Sequence, residues 1–294
     1  MKMLPILYKC ASLPGPEPES VMTGYKVKCL AVLLVLFTTM AVAEEAVQTI
    51  VERSVQANSK DWQTAPAYSH FERDVLATGT RTVVVTMILG SPYQRLVAVN
   101  GTPLSADEQA REQQKLERVT AQRCGESRQA RSERIDRYEK ERTRDHQLMD
   151  EMTKAFSFKL VGEKKSGSSD VYVLQATPRP DYQPPNKETK VLTGMQGELW
   201  IDKHTYHWVR VEAEVIHPVV IGGFLARVEP GTRFELENMP VEGGVWLPEH
   251  FAMKSRAKIL FLYTSKNQED ETYFDYRKTA GNENAAACGS LPGK

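Results

Sequence analysis

The residues of this chain whose types and spacing could do chemistry are a few histidines, carboxylates and cysteines. His70, Glu72 and Asp74 recur at every second position, so an extended strand over Tyr68–Asp74 would bring them to one face as acid and base groups. The other face of that strand offers only Phe71 as a large apolar residue, and the triplet reads as the strand's solvent face. Asp202, His204 and His207 could supply metal ligands. Three groups across one tight turn rarely meet on an ion without a further ligand, so they read as exposed turn residues. The sequence contains no G-x-S-x-G, no Gly-rich phosphate loop with its lysine, no C-x-x-C and no H-E-x-x-H. Asn100-Gly101-Thr102 fits a glycosylation sequon, but Asn-Gly is also a strong turn signal and is read as a turn. The expectation is a non-enzymatic protein with no catalytic residue, no metal centre and no cofactor.

The elements that must carry these residues are mostly strands. From Gly194 to Lys278 almost every segment between turn signals alternates apolar and polar residues. Val209, Val211, Ala213 and Val215 interleave with Trp208, Arg210, Glu212 and Glu214, which assigns the aliphatic set to one face. Phe224, Ala226 and Val228 repeat the pattern, as do Phe234 with Leu236, then Phe251, Met253, Ala257, Ile259 and Phe261, then Phe274 and Tyr276. Earlier strands are expected at Tyr68–Asp74, Thr80–Leu89 and Tyr93–Val99, and a hairpin at Phe156–Lys164 and Asp170–Ala176. The whole reads as one antiparallel sheet with a single apolar face. Its cover is modest. Glu44–Ser59 is an amphipathic helix with Val47, Ile50, Val51 and Val55 on one stripe, and Leu148, Met152 and Phe156 recur at four-residue spacing. Strands lie about 5 Å apart and a helix spans about 10 Å, so these pieces leave part of a ten-strand face open as an apolar cleft.

A capping box at Ser105–Glu108 starts a densely charged helical stretch running to about Ala155 and broken near Gly125, read as a solvated helix or helical hairpin. The proline-rich Thr177–Thr193 is expected to be a surface loop or edge crossing. Thr279–Lys294 reads as a disordered tail.

Composition narrows the partners. The 294 residues include 38 Lys+Arg and 38 Asp+Glu, a zero balance that argues against nucleic acid or an anionic membrane surface as the main partner. Lys26 and Lys28 precede the apolar run Cys29–Met40 and Ala41-Val42-Ala43, a secretory signal cleaved near residue 43, with the true start near Met22. Cleavage leaves no membrane span. It also leaves Cys124 and Cys288 in a compartment that permits disulfides, as a bridge or as two free thiols.

Ser91-Pro-Tyr-Gln-Arg-Leu-Val97, Asn100-Gly-Thr-Pro-Leu-Ser105, Gly197–Lys203 (GELWIDK), Trp246-Leu247-Pro248 and Asp275-Tyr-Arg-Lys278 resemble a group of uncharacterised bacterial secreted proteins with the fold of the periplasmic lipoprotein-carrier (LolA/LolB-like) superfamily. The resemblance covers about residues 44–278. It implies an α+β fold, a strongly curved antiparallel half-barrel with helices over its concave face, here carrying the long charged helical insertion that typical carriers lack. It implies a periplasmic carrier whose partner is a lipid, a lipoprotein acyl chain or a similar apolar molecule. The implied ligand-facing positions are Leu199, Ile201, Val209, Val211, Phe224, Val228, Phe234, Phe251, Met253, Ile259, Phe261 and Phe274. The alternative is an envelope protein-interaction or stress-sensing module whose partner is another protein.

Overall fold

The alternating segments pair into one antiparallel sheet of 13 strands in a computed structural model. It describes residues 47–187, 189–221, 226–259, 263–279 and Cys288, apart from the side chains of Asp145, Leu148, Ile259 and Tyr263. The chain divides into residues 1–45 and 46–294. The expected signal peptide, the Met22 start, Phe224, Phe261 and most of the expected tail lie outside the described residues.

The strands are β1 (Tyr68–Leu76), β2 (Gly79–Ile88), β3 (Ser91–Val99), β4 (Thr102–Pro103), β5 (Phe156–Ser166), β6 (Ser169–Pro178), β7 (Met195–Asp202), β8 (Trp208–Val215), β9 (Val219–Ile221), β10 (Ala226–Val228), β11 (Arg233–Val241), β12 (Val245–Ile259) and β13 (Tyr263–Lys278). Their order is β4-β3-β2-β1-β13-β12-β11-β8-β7-β6-β5, with β10 pairing β12 and β9. Because β4 and β5 end the order unpaired with each other, the sheet is an unclosed half-barrel and the fold is α+β. The first strands reach the rest through β1, which pairs with the last long strand, β13.

Helix α1 (residues 47–64) covers one face. Its Val47 and Val51, one turn apart, pack on Leu174, Leu199, Ile201, Trp208 and Val211, with Val55 against the same cluster. The charged stretch forms the helical hairpin α2 (Ala106–Cys124) and α3 (Arg128–Ala155), with the expected capping box at Ser105 and Glu108 and a C-cap at Gly125. The end of α3 reaches the core through Met149, Met152 and Ala155.

The rest of the hairpin is fastened by arginines. Arg123 donates to the carbonyls of Ile88, Ser91 and Pro92 at 2.8–3.1 Å. Arg134 bridges Glu126 at 2.6 Å and donates to Ser91 Oγ and the Leu89 carbonyl. Leu89 and Gly90 there have φ of 49° and 90°, and a Cβ on Gly90 would sit 2.8 Å from Ile135 Cδ1, so the helix needs a glycine beneath it. Arg142 stacks on Trp62 of α1 and donates to its carbonyl.

Two open readings are decided. Part of the proline-rich segment joins the cover of the sheet: its end forms a 3-10 turn, Thr189–Gly194, whose Leu192 is buried with Ala155, Phe156 and Ala176. Cys124, at the end of α2, is joined by a disulfide to Cys288 in the expected tail.

Candidate functional site

Register decides which side chains share the helix-covered face, since cross-strand partners point the same way. One row runs Leu174, Leu199, Val211, Leu236, Phe251 across β6, β7, β8, β11 and β12. The next runs Ala176, Gly197, Ala213, Phe234, Met253. Gly197 is where β7 approaches β8 too closely for a side chain, for a Cβ there would lie 2.1 Å from the Glu212 carbonyl oxygen.

The rows change character along their length. Under α1, Leu174, Leu199, Ile201, Trp208 and Val211 are sealed. Farther along, Phe234, Leu236, Phe251 and Met253 are only half-buried, with Phe234 and Phe251 in edge-to-face contact at 5.7 Å. Val228 pairs with Ala257 on the same face and is also half-buried. Ile259 of β12 pairs with Ala226, and its side chain lies outside those described.

Of the twelve positions read from sequence, Phe234, Phe251, Met253 and Val228 thus form a partly open strip, while Leu199, Ile201 and Val211 are occupied by α1. Two positions are corrected. The register slips between Trp200 and Ile201, pairing Ile201 with Trp208. The resulting bulge turns Trp208, not Val209, into the core, where its indole Nε1–H donates to Ser54 Oγ at 3.1 Å. Phe274 lies on the opposite face: β13 pairs Glu271 with Phe251, so Thr272 and Phe274 point the other way, and Phe274 stacks on Phe71 at 5.4 Å.

The same count reverses the reading of the His70 triplet. Glu271 pairs with Asp74, and Asp74 with Arg81, so His70, Glu72 and Asp74 share the covered face with the apolar rows. Asp74 is buried and His70 contacts the rings of Tyr273 and Tyr276. Burial drives the His70 imidazole down to about 4. Burial, then the Asp74 carboxylate beside it, lifts Glu72 to about 7. Their pH effects oppose one another. Glu72 contributes stability present below its ordinary 4.5 and lost as pH rises through about 7; His70 contributes stability present above its ordinary 6.5 and lost as pH falls through about 4. In His70→Asn the Glu72 slope should stand alone, so the urea midpoint is expected to fall steadily from pH 4.5 to 7. A flat profile in that variant would remove Glu72 as a group titrating in this range.

His207 also departs from expectation. It leaves its turn to reach Asp61 of α1 at 3.0 Å and stacks on Trp246, while Asp202 caps the turn by accepting from the backbone N–H of His204 and Thr205. Sequence carried no signal for that pairing, because Asp61 lies far away along the chain. A concavity of about 520 Å³ is walled mainly by charged side chains that face away from α1, Glu198, Arg210, Glu212, Arg233, Glu235 and Asp270 among them, with Phe234 and Met253 also in its lining. Such walls do not suit an apolar ligand.

No family model matches the chain, and no curated protein matches it. Among solved structures it is similar to a domain named for outer membrane lipoprotein sorting from Vibrio parahaemolyticus, at 14% identity and a TM-score of 0.30, over 81% of this chain and 97% of that one. It is similar to a DUF1329 family protein from Desulfovibrio piger at 10% identity and a TM-score of 0.32, over 83% and 97%. It is also similar to a LolA superfamily protein from Nitrosomonas europaea at 13% identity and a TM-score of 0.29, over 79% and 93%. At such identities and TM-scores these likenesses carry no statement about what this chain does. Among the described residues no helix is long and apolar enough to cross a membrane.

Proposed function

We propose that this is a non-enzymatic periplasmic binding protein that shelters an acyl chain or similar apolar ligand on the β11–β12 part of the covered face. One observation carries the reading: the row that α1 seals at Leu174, Leu199 and Val211 runs on, still apolar, to Leu236 and Phe251, which with Phe234 and Met253 of the next row are only half-buried. A chain laid there would gain about 0.8 kcal/mol for each buried methylene, without a charged anchor. Export rests on Lys26, Lys28 and the apolar run that follows them.

Phe251→Glu would place a carboxylate opposite Glu271 in the middle of the strip. It is expected to cut binding of a neutral hydrophobic dye by about tenfold or more, equivalent to about 1.4 kcal/mol, while the half-buried position tolerates the change. Wild-type protein that carries no lipid in native mass spectrometry and does not raise the dye's fluorescence would sink the reading.

A further inference from the structure

We propose that the apolar strip ends in a head-group site for a protonated amine, so that the preferred ligand is a cationic amphiphile, an alkyl chain terminated by an ammonium. The inference rests on the strip being the ligand surface.

Register ties the two parts together. The row Val211, Leu236, Phe251 continues without a break into Glu271 of β13, Asp74 of β1 and Arg81 of β2. With strands about 5 Å apart, the polar groups begin one strand beyond Phe251. Beside that row lie Tyr273 and its partner Glu72. An extended chain on Phe234, Leu236, Phe251 and Met253 therefore meets Glu271, Glu72 and Asp74 at its end.

These groups are acceptor-rich. Asp74 is 6% exposed; its Oδ2 takes Arg81 Nε at 2.5 Å, and its buried Oδ1 has no fixed donor: the neighbouring Glu72 can donate to Asp74 only while protonated, and above about 7 Asp74 loses that donor. Glu72 is contacted by Gln94 Nε2 at 3.4 Å. The Tyr273 hydroxyl is already given to Glu271, and the Tyr276 hydroxyl to the Pro248 carbonyl at 2.7 Å. Three carboxylates thus face one guanidinium, with the tyrosine protons spent. An ammonium carries three donors and a positive charge, which answers both the orphaned oxygen and the excess of acceptors, whereas a carboxylate head would meet like charge. Burial first, then the carboxylates of Asp74 and Glu271, outweigh Arg81 and lift Glu72 to about 7.

The test uses the full chain, with Nile red as the neutral reporter of the strip and dodecylamine and laurate as competitors of equal chain length, each below its micelle concentration at about pH 8. An alkylamine remains protonated there, as lysine does. Dodecylamine is expected to displace the dye at a concentration about tenfold lower than laurate, a difference of about 1.4 kcal/mol. Glu72→Gln with Glu271→Gln should erase that preference while Nile red still binds. Laurate displacing the dye as well as dodecylamine does from wild type would overturn the head-group site and leave the strip standing. A wild type that binds no Nile red at all would overturn both.

Discussion

Replacing Trp208 by alanine is expected to cost about 3–5 kcal/mol of stability. The indole is 2% exposed, at the centre of the cluster that α1 seals, and its loss opens a cavity between helix and sheet. It would also strand a hydrogen-bond partner. Ser54 Oγ, itself fully buried, receives the indole N–H while donating to the Val51 carbonyl at 2.8 Å, so α1 and β8 are joined by a chain of two bonds as well as by packing. Trp208→Phe keeps most of the volume and deletes the bond, and should cost about 1–3 kcal/mol. Urea denaturation of the two variants separates packing from bonding. A Trp208→Ala midpoint indistinguishable from wild type would mean that the bulge does not hold this ring in the core.

The second large effect is expected at Arg134. Its guanidinium bridges Glu126 and reaches the β2–β3 turn, and the two side chains are 18% and 13% exposed. Arg134→Met preserves much of the aliphatic reach but deletes the hydrogen bonds to Glu126, to Ser91 Oγ and to the Leu89 carbonyl that tie the hairpin to the β2–β3 turn. The cost should fall on the helical hairpin rather than on the sheet. Hydrogen exchange in α2 and the first half of α3 should quicken by about a hundredfold or more while β7 and β8 keep their protection. Exchange that rises equally in hairpin and sheet would refute this local fastening.

How much of this was legible in the sequence depended on the range of the signal. Short-range chemistry read well. Ser105 and Glu108 form their capping box, Gly125 ends α2, and Asn100 and Gly101 take φ of 52° and 73° as the Asn-Gly turn requires. The alternation in β7, β8, β11 and β12 assigned Leu199, Val211, Phe234 and Phe251 to one face because these four lie on one side of the bulges that interrupt the strands, where period two holds from strand to strand. What failed was parity carried across a bulge or from strand to strand. An extra residue at Trp208 swaps the inward side chain within β8, and only the Phe251–Glu271 pairing reveals that Phe274 faces away. The same pairing brings His70, Glu72 and Asp74 inward, although a strand met alone with acids on one side and Phe71 on the other looks solvent-facing by those acids. The contacts of Asp61 with His207 and of Cys124 with Cys288 join residues too far apart in the chain for local pattern to register.

The disulfide has a mechanical consequence. Cys124 and Cys288 are 164 positions apart, so α3 and every strand from β5 to β13 lie inside a covalent ring, while α1, β1–β4 and most of α2 lie outside it. Tension applied to the two ends can lengthen only the part outside, and roughly 550 Å of contour stays out of reach until the bridge is reduced. The seams that must give under such a load are the packing of α1 on β6–β8 and then the pairing of β1 with β13, where the unringed segment meets the ring. An unfolding machine that threads polypeptides from the amino-terminal side would strip α1 and the first strands, then stall at Cys124.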